Sequence, residues 1–254
     1  MSEAGAGPTL DRATGEKTRP PLLEVRDLSV IYPNGARGVN GVDLVVPDGA
    51  IVGILGRNGA GKSSLLRGLV GFLRSEHVTV TGSVRFRGEE IAGGAPRATY
   101  RRGLLLVPER EKVFPSLTVE DNLRLCGGVH PEGEPIYEFD ALDRRRTSRA
   151  ALLSGGERQM LALAMAWDQN PELLLVDELS LGLAPVAIKT LMEHLRRRTD
   201  ETGTSAILVE QDANAALKVC DYIYVLNHGE VTMTAEASAV SPADIQQKYL
   251  GGGL

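Results

Sequence analysis

Gly56, Arg57, Asn58, Gly59, Ala60, Gly61, Lys62 and Ser63 are the residues of this chain best suited by type and spacing to do chemistry. They spell G-x-x-x-x-G-K-[ST], a loop whose backbone N–H groups turn inward onto the β- and γ-phosphates of a nucleotide. Glycine is required where the chain must curl without a Cβ in the way. Lys62 adds a point charge on a flexible stem that spans two phosphate groups. The Ser63 hydroxyl is placed to ligate the Mg²⁺ that bridges them, and Ser64 follows it in the same cradle.

Two further constellations carry chemistry. Leu173-Leu174-Leu175-Val176 is an apolar run that ends in Asp177 and Glu178. Carboxylates at the C-terminal tip of a parallel strand lie on the edge where ligands bind. Asp177 can hold the Mg²⁺ directly or through water, which leaves Glu178 free to polarise an attacking water as general base. The other run is Leu153-Ser154-Gly155-Gly156-Glu157. Ser154 and Glu157 make a capping box at a helix start. The glycines between them are superfluous to that box, but they are needed if a phosphate approaches the helix N-terminus closely.

The elements that must position these residues can be read from hydrophobic period. Ala50 to Leu55 is a continuous apolar run, as a strand buried on both faces requires. From Lys62 onward apolar residues fall at 65, 66, 69, 70, 72 and 73, which is helical spacing. The phosphates therefore meet a helix N-terminus. Further buried strands are expected at 104–107, 173–176, 206–209 and 222–226, separated by helices such as 158–167 and 186–198. That alternation argues for a parallel α/β sheet. Residues 24–30, 42–46 and 83–88 alternate polar with apolar, so an antiparallel layer is expected beside the parallel core. Residues 120–152 break the alternation and predict an inserted helical lobe.

Composition narrows the class. The chain has 254 residues, 43% of them hydrophobic and 24% charged, with a net charge of −5. It shows no sustained basic face, so nucleic acid is not an expected partner. Arg144, Arg145, Arg146 and Arg149 form the densest basic cluster and read as a solvated face. Cys126 and Cys220 lack metal-site spacing, which argues against zinc or a disulfide framework and for a reducing compartment. No apolar run reaches membrane-span length. Residues 1–21 read as a disordered tail without an apolar signal core, and 251–254 as a flexible end.

The phosphate loop, the L-S-G-G-E run and the Asp-Glu-tipped strand, in that order, resemble the nucleotide-binding subunit of ATP-binding cassette (ABC) transporters from Leu22 onward. Four segments, Val107–Arg110, Val113–Leu123, Leu181–Pro185 and Val209–Asn214, resemble the branched-chain amino acid importers. The likeness is to the shorter of that importer's two ATPase subunits, a group whose relatives carry urea or short amides. The resemblance implies an α/β P-loop NTPase of ABC type over 22–250, with a parallel-sheet core, an antiparallel β layer and a helical lobe at about 112–156. It implies ATP and Mg²⁺, and head-to-tail pairing with a second ABC ATPase subunit. Ser154, Gly155, Gly156 and Glu157 would then act on the partner's ATP. Tyr32 falls where the family stacks an aromatic on adenine. Membrane permeases, an extracytoplasmic solute-binding protein and a place on the cytoplasmic face of the membrane are implied as well. Two alternatives stand beside this reading: a regulatory nucleotide-binding module with little turnover, and a soluble non-transport ABC ATPase.

The sequence departs from the general family pattern at four positions. Glu109 stands where most members have Gln, Gln211 where most have His, Leu179 where most have Pro and Ala184 where most have Asp. Glu109 keeps an oxygen for a hard cation but adds negative charge beside phosphates. Gln211 keeps an N–H donor for the γ-phosphate yet forfeits a charge-assisted bond, which is roughly twice as strong. The expectation is a slower but competent catalytic set of Glu178, Lys62, Gln211 and Glu109, with Ser63, Glu109 and Asp177 facing the metal.

Overall fold

A computed structural model of the chain describes residues 20–73, 77–110, 112–131, 134–137 and 139–250. The expected tail up to residue 19 and the glycine-rich end from 251 lie outside the described residues.

Strands β1 (Leu23–Ile31), β2 (Arg37–Val46), β4 (Thr79–Phe86) and β5 (Glu89–Glu90) form a four-stranded antiparallel sheet in the order β2-β1-β4-β5. A second sheet holds β3 (Ile51–Leu55), β6 (Leu104–Val107), β7 (Leu173–Asp177), β8 (Ser205–Glu210), β9 (Tyr222–Asn227) and β10 (Glu230–Glu236), in the order β10-β9-β3-β8-β7-β6. All its pairings are parallel except the β9–β10 hairpin. Strand side chains alternate between faces, and here both faces are apolar. Leu174, Val176, Ala206, Leu208, Ile223 and Val225 enter one core, on the side of the helical lobe. Leu173, Leu175, Ile207, Val209, Tyr224 and Leu226 enter the other, against the antiparallel sheet. Continuous apolar runs are the consequence.

Helix α1 (Lys62–Val70) follows the phosphate loop and stops at Gly71, whose φ of 77° provides a left-handed cap. Phe72 therefore leaves the buried stripe that its spacing suggested and is 52% exposed. Between β6 and β7 the chain makes α3 (Val119–Leu125), the single-turn α4 (Asp140–Asp143) and α5 (Gly155–Trp167). The expected lobe is there, though its described residues between 126 and 149 form more turn than helix. Asp168 ties its irregular part down by accepting from Tyr137 at 2.8 Å and bonding His130 at 2.9 Å.

Helix α6 (Pro185–Thr202) leads into β8, with α7 (Ala213–Ala216) after it. Among the elements not expected from period are α2 (Pro96–Arg101), β10 and α8 (Pro242–Leu250). α2 is a short helix begun by Pro96, β10 is a polar edge strand, and α8 buries little beyond Ile245. None carries a strong apolar stripe.

Leu175 is fully buried on the face toward the antiparallel sheet. Leu175→Ala should cost about 2–5 kcal/mol of unfolding free energy through lost contacts and a residual cavity. Chemical denaturation of the two proteins measures the difference.

Candidate functional site

The loop after β3 is held from behind by backbone contacts. The Gly229 N–H, in the turn of the β9–β10 hairpin, donates to the Ala60 carbonyl at 2.8 Å, and the Asn40 N–H donates to the Gly229 carbonyl at 2.8 Å. Gly61 has φ 105°, and a Cβ there would stand 2.0 Å from the Gly38 carbonyl oxygen. Glycine is obligatory at this point for both reasons. Lys62 is 5% exposed, and its ammonium donates to the carbonyls of Gly56 at 2.8 Å and Arg57 at 3.2 Å. Its Nζ also lies 3.5 Å from Glu178 Oε1.

Sheet register brings the remaining residues to the same edge. Leu55 pairs with Glu210, Asp177 with Val209, and Val107 with Val176. The ends of β3, β6, β7 and β8 are thereby level, and the residues just past them converge. A cavity of about 450 Å³ results, lined by residues 58–64 together with Gly38, Glu109, Arg110, Glu178, Leu181 and Gln211. Gly56 and Arg57 lie on an adjoining cavity of about 470 Å³, shared with Gln211, Asn227, His228 and Tyr249.

Glu178 is the most constrained residue of the set. Its φ is 53°, in the left-handed region, where a non-glycine residue pays about 1–3 kcal/mol and persists only when the surroundings over-determine it. Its N–H donates to the Val209 carbonyl at 3.0 Å, and its Oε1 accepts from Gln211 Nε2 at 2.8 Å. Two residues on, the Ser180 N–H and hydroxyl donate to Glu210 at 2.9 and 2.5 Å. Burial pushes the Glu210 carboxyl up to about 7, against the bonds from Ser180 and Gln211, and the nearby Glu178 adds to the rise.

Asp177 lies beneath the cavity, 6% exposed. Burial raises its pKa, with Glu178 and Glu109 adding to the effect and the Ser63 hydrogen bond and Lys62 opposing it. Among the described residues its Oδ1 is buried without a hydrogen-bond partner. This donor set suits Mg²⁺, a hard cation that prefers oxygen and binds through one or two carboxylates together with substrate phosphates. Among the described residues no three His, Cys, Asp or Glu side chains converge on one point. The ion would therefore draw on Ser63, Asp177, Glu109 and phosphate oxygens rather than on a closed protein cage.

Other expected residues stand apart. Ser154 and Glu157 form a complete capping box at the start of α5. Gly155 and Gly156 face Leu183 and Ala187 near the N-terminus of α6, each close enough that an added Cβ would sit 3.1 Å away. None of the four lines the cavity beside Lys62. Tyr32 is half-buried next to Gly38, and its hydroxyl shares a 2.8 Å hydrogen bond with Ser64.

Three contributors were missed in sequence. Glu210 and Ser180 look like ordinary neighbours of the motif residues. Lys112 donates to the buried Gln159 of α5, and its charge lies near Glu109 and Asp177. Burial lowers its pKa. A basic residue three positions beyond Glu109 was the only available signal.

A family model described as ABC transporter matches residues 39–180. The high-affinity branched-chain amino acid transport ATP-binding protein BraG of Pseudomonas aeruginosa is 39% identical over 230 residues, covering 87% of this chain and 96% of that protein. The lipopolysaccharide export system ATP-binding protein LptB of Escherichia coli is 29% identical, covering 90% of this chain and 97% of that one. A solved ATP-binding cassette of an ABC transporter, in its ADP conformation, superposes with TM-score 0.76 at 24% identity, over 91% of this chain and 99% of the other.

The raised pKa of Glu210 has a measurable consequence. The folded protein favours the protonated carboxyl, so the stability it contributes is full below about 4.5 and is lost as pH rises through about 7. Glu210→Gln keeps the shape without the charge. The variant's unfolding free energy relative to wild type should rise between pH 5 and pH 8, by an amount on the order of 3 kcal/mol. Paired denaturation curves at the two pH values read this directly, and a pH-independent difference contradicts it.

Proposed function

The chain belongs to the ABC transporter family of ATP-binding subunits, and on that premise we propose that it powers an importer of branched-chain amino acids or of a related small polar solute such as urea or an amide. It is an ABC-type ATPase. The observation that carries the reading is the convergence of Lys62, Glu178 and Gln211 on one cavity, above a buried Asp177 bonded by Ser63. The 39% identity to BraG supports the choice of solute class. The match to LptB supports a second reading, export of a lipid driven by the same motor, with a weaker likeness behind it.

In the proposed mechanism the backbone of residues 56–63 cradles the phosphates of ATP, and Lys62 bridges the β- and γ-groups. Ser63, Asp177 and Glu109 hold the Mg²⁺, which when bound neutralises charge that develops on the phosphates. Glu178 accepts the proton of the attacking water. Gln211, bonded to Glu178 and lining the same cavity, also donates to the γ-phosphate. Little covalent chemistry falls to the protein, so positioning and electrostatics supply the rate.

The signature residues Ser154, Gly155, Gly156 and Glu157 complete the site of a second ABC ATPase subunit in a head-to-tail pair. Their separation from the cavity beside Lys62 supports this division of labour. Tyr32 stacks on the adenine. Permease subunits dock on the helical lobe and the Glu109 loop. Phe114 and Leu152 support such a surface: both are exposed, at 51% and 69%. Their segments lie side by side, since the Ala151 N–H donates to the Pro115 carbonyl at 2.9 Å. The Lys112–Gln159 bond links this loop to α5. Among the described residues no helix is long and apolar enough to cross a membrane. Attachment to the cytoplasmic face through permeases, which receive solute from an extracytoplasmic binding protein, is part of the proposal and rests on the family relationship.

Glu178→Gln should lower the ATP turnover rate by about 10²–10⁴-fold while ATP still binds, because it removes the base and leaves the cradle. Equal turnover by variant and wild type would sink the enzymatic assignment of Glu178. Co-purification with permease subunits, followed by uptake of labelled leucine or urea, tests the transport half. Association with a soluble scaffold instead would refute it.

A further inference from the structure

The turn that carries Glu178 is fastened at three consecutive residues, the last two of β8 and the one that follows it. Val209 accepts from the Glu178 N–H, Glu210 accepts from both donors of Ser180, and Gln211 donates to the Glu178 carboxylate. The first and third ties act on Glu178 itself. The second acts two residues downstream, where the chain leaves the sheet for the segment ahead of α6. Between them Leu179 is buried, so the turn is pulled into the core at 179 and clamped at both ends. A proline at 179 would have biased the residue before it towards extended backbone with negative φ; leucine imposes no such bias. The left-handed φ at Glu178 is costly for a non-glycine residue and is held by the contacts around it.

Glu210 is suited to that task and to no other visible one. It is 1% exposed, and its two oxygens each take a different donor of the same serine. A buried carboxylate is costly unless its lone pairs are satisfied, and here two donors come from Ser180 and one from the Gln211 backbone. We propose that Glu210 is a positioning residue for ATP hydrolysis, clamping Ser180 so that Glu178 holds its strained backbone and keeps its carboxylate on the cavity between Lys62 and Gln211. The inference rests on the reading of Glu178 as the base. Shape rather than charge is what the clamp requires. A glutamine at 210 can accept from the Ser180 N–H through its carbonyl oxygen and donate to the Ser180 hydroxyl through its amide.

The test measures steady-state ATP hydrolysis and equilibrium ATP binding on the full-length chain assembled with its partner ATPase subunit. Glu210→Ala should lower kcat by about 10- to 100-fold, the scale of a misplaced catalytic group, with KM and ATP affinity held within about twofold. Glu210→Gln should restore kcat to within about threefold of wild type. In a Glu178→Gln background, Glu210→Ala should change the residual rate by less than about twofold, because the group it positions is already gone. Should Glu210→Ala fail to fold, Ser180→Ala removes the hydroxyl arm alone and should lower kcat by about threefold at constant KM. Wild-type turnover by Glu210→Ala, or by Ser180→Ala in its place, overturns the proposal. So does a parallel loss of ATP affinity, a glutamine variant as slow as the alanine, or an undiminished effect in the Glu178→Gln background. The two levels separate cleanly. A fast Glu178→Gln removes the base assignment and this proposal with it, whereas a slow Glu178→Gln beside a fast Glu210→Ala removes this proposal alone.

Discussion

The level alignment of β3, β7 and β8 is the constraint on which the site depends. Leu55 opposite Glu210 and Asp177 opposite Val209 place the phosphate loop, the two carboxylates and Gln211 on one edge. A slip of one residue in β8 would send Leu208 and Val209 to the wrong cores, pull Glu210 off Ser180 and withdraw Gln211 from the cavity. Both cores resist that slip, because every residue of β3, β7 and β8 is buried. Packing far from any phosphate thus fixes the relative heights of the groups that would meet one.

The same edge concentrates negative charge in a poorly solvated place. Asp177 and Glu210 both have raised pKa values for that reason, burial first and neighbouring carboxylates after it. The fold answers in two ways. Asp177 bonds Ser63 and, among the described residues, keeps its other buried oxygen without a hydrogen-bond partner, an arrangement that a hard cation would relieve. Glu210 instead bonds Ser180 through both oxygens, with the Gln211 backbone adding a third donor, and does not line the cavity. One carboxylate is poised for a ligand and the other is consumed by the fold, although both sit at the tips of adjacent strands. Lys62 and Lys112 supply nearby positive charge, each anchored by oxygen acceptors from a different part of the chain.

What the sequence discloses follows from where the partners lie. The phosphate loop, the Asp177-Glu178 tip and the Ser154–Glu157 box are each contiguous, so motif spacing reveals them at once. The parallel core is equally legible, because strands buried on both faces leave unbroken apolar runs. The clamp of Ser180 by Glu210 is not, since its members are 30 positions apart and each type is commonplace. The same applies to Gly229, which pins Ala60 from a hairpin whose second strand is a polar edge. Phe72 shows the converse failure. Its spacing fits the α1 stripe, but Gly71 ends the helix first, and an added Cβ at Gly71 would lie 2.0 Å from the Gly94 carbonyl. Close backbone approach there outweighs periodicity.

The α5 N-terminus shows why two complete-looking phosphate motifs need not share one phosphate. The Glu157 N–H is spent on the Ser154 hydroxyl, and the Ser154 N–H on the Glu157 carboxylate, at 3.2 and 2.7 Å. That closed box leaves the Gly155 and Gly156 turn as the open part of the helix start, with the capping carboxylate beside it. Glu157 also lies 3.8 Å from Arg145, at its outer side. Meanwhile Gly155 and Gly156 abut Leu183 and Ala187, beyond the loop that begins at Ser180. The chain from Glu178 through Ser180 to Leu183 thus runs from the cavity edge to the start of α5. Whatever fixes Ser180 also fixes the near end of that run, so the clamp at Glu210 bears on the turn at Glu178 directly and on the start of α5 through the intervening loop.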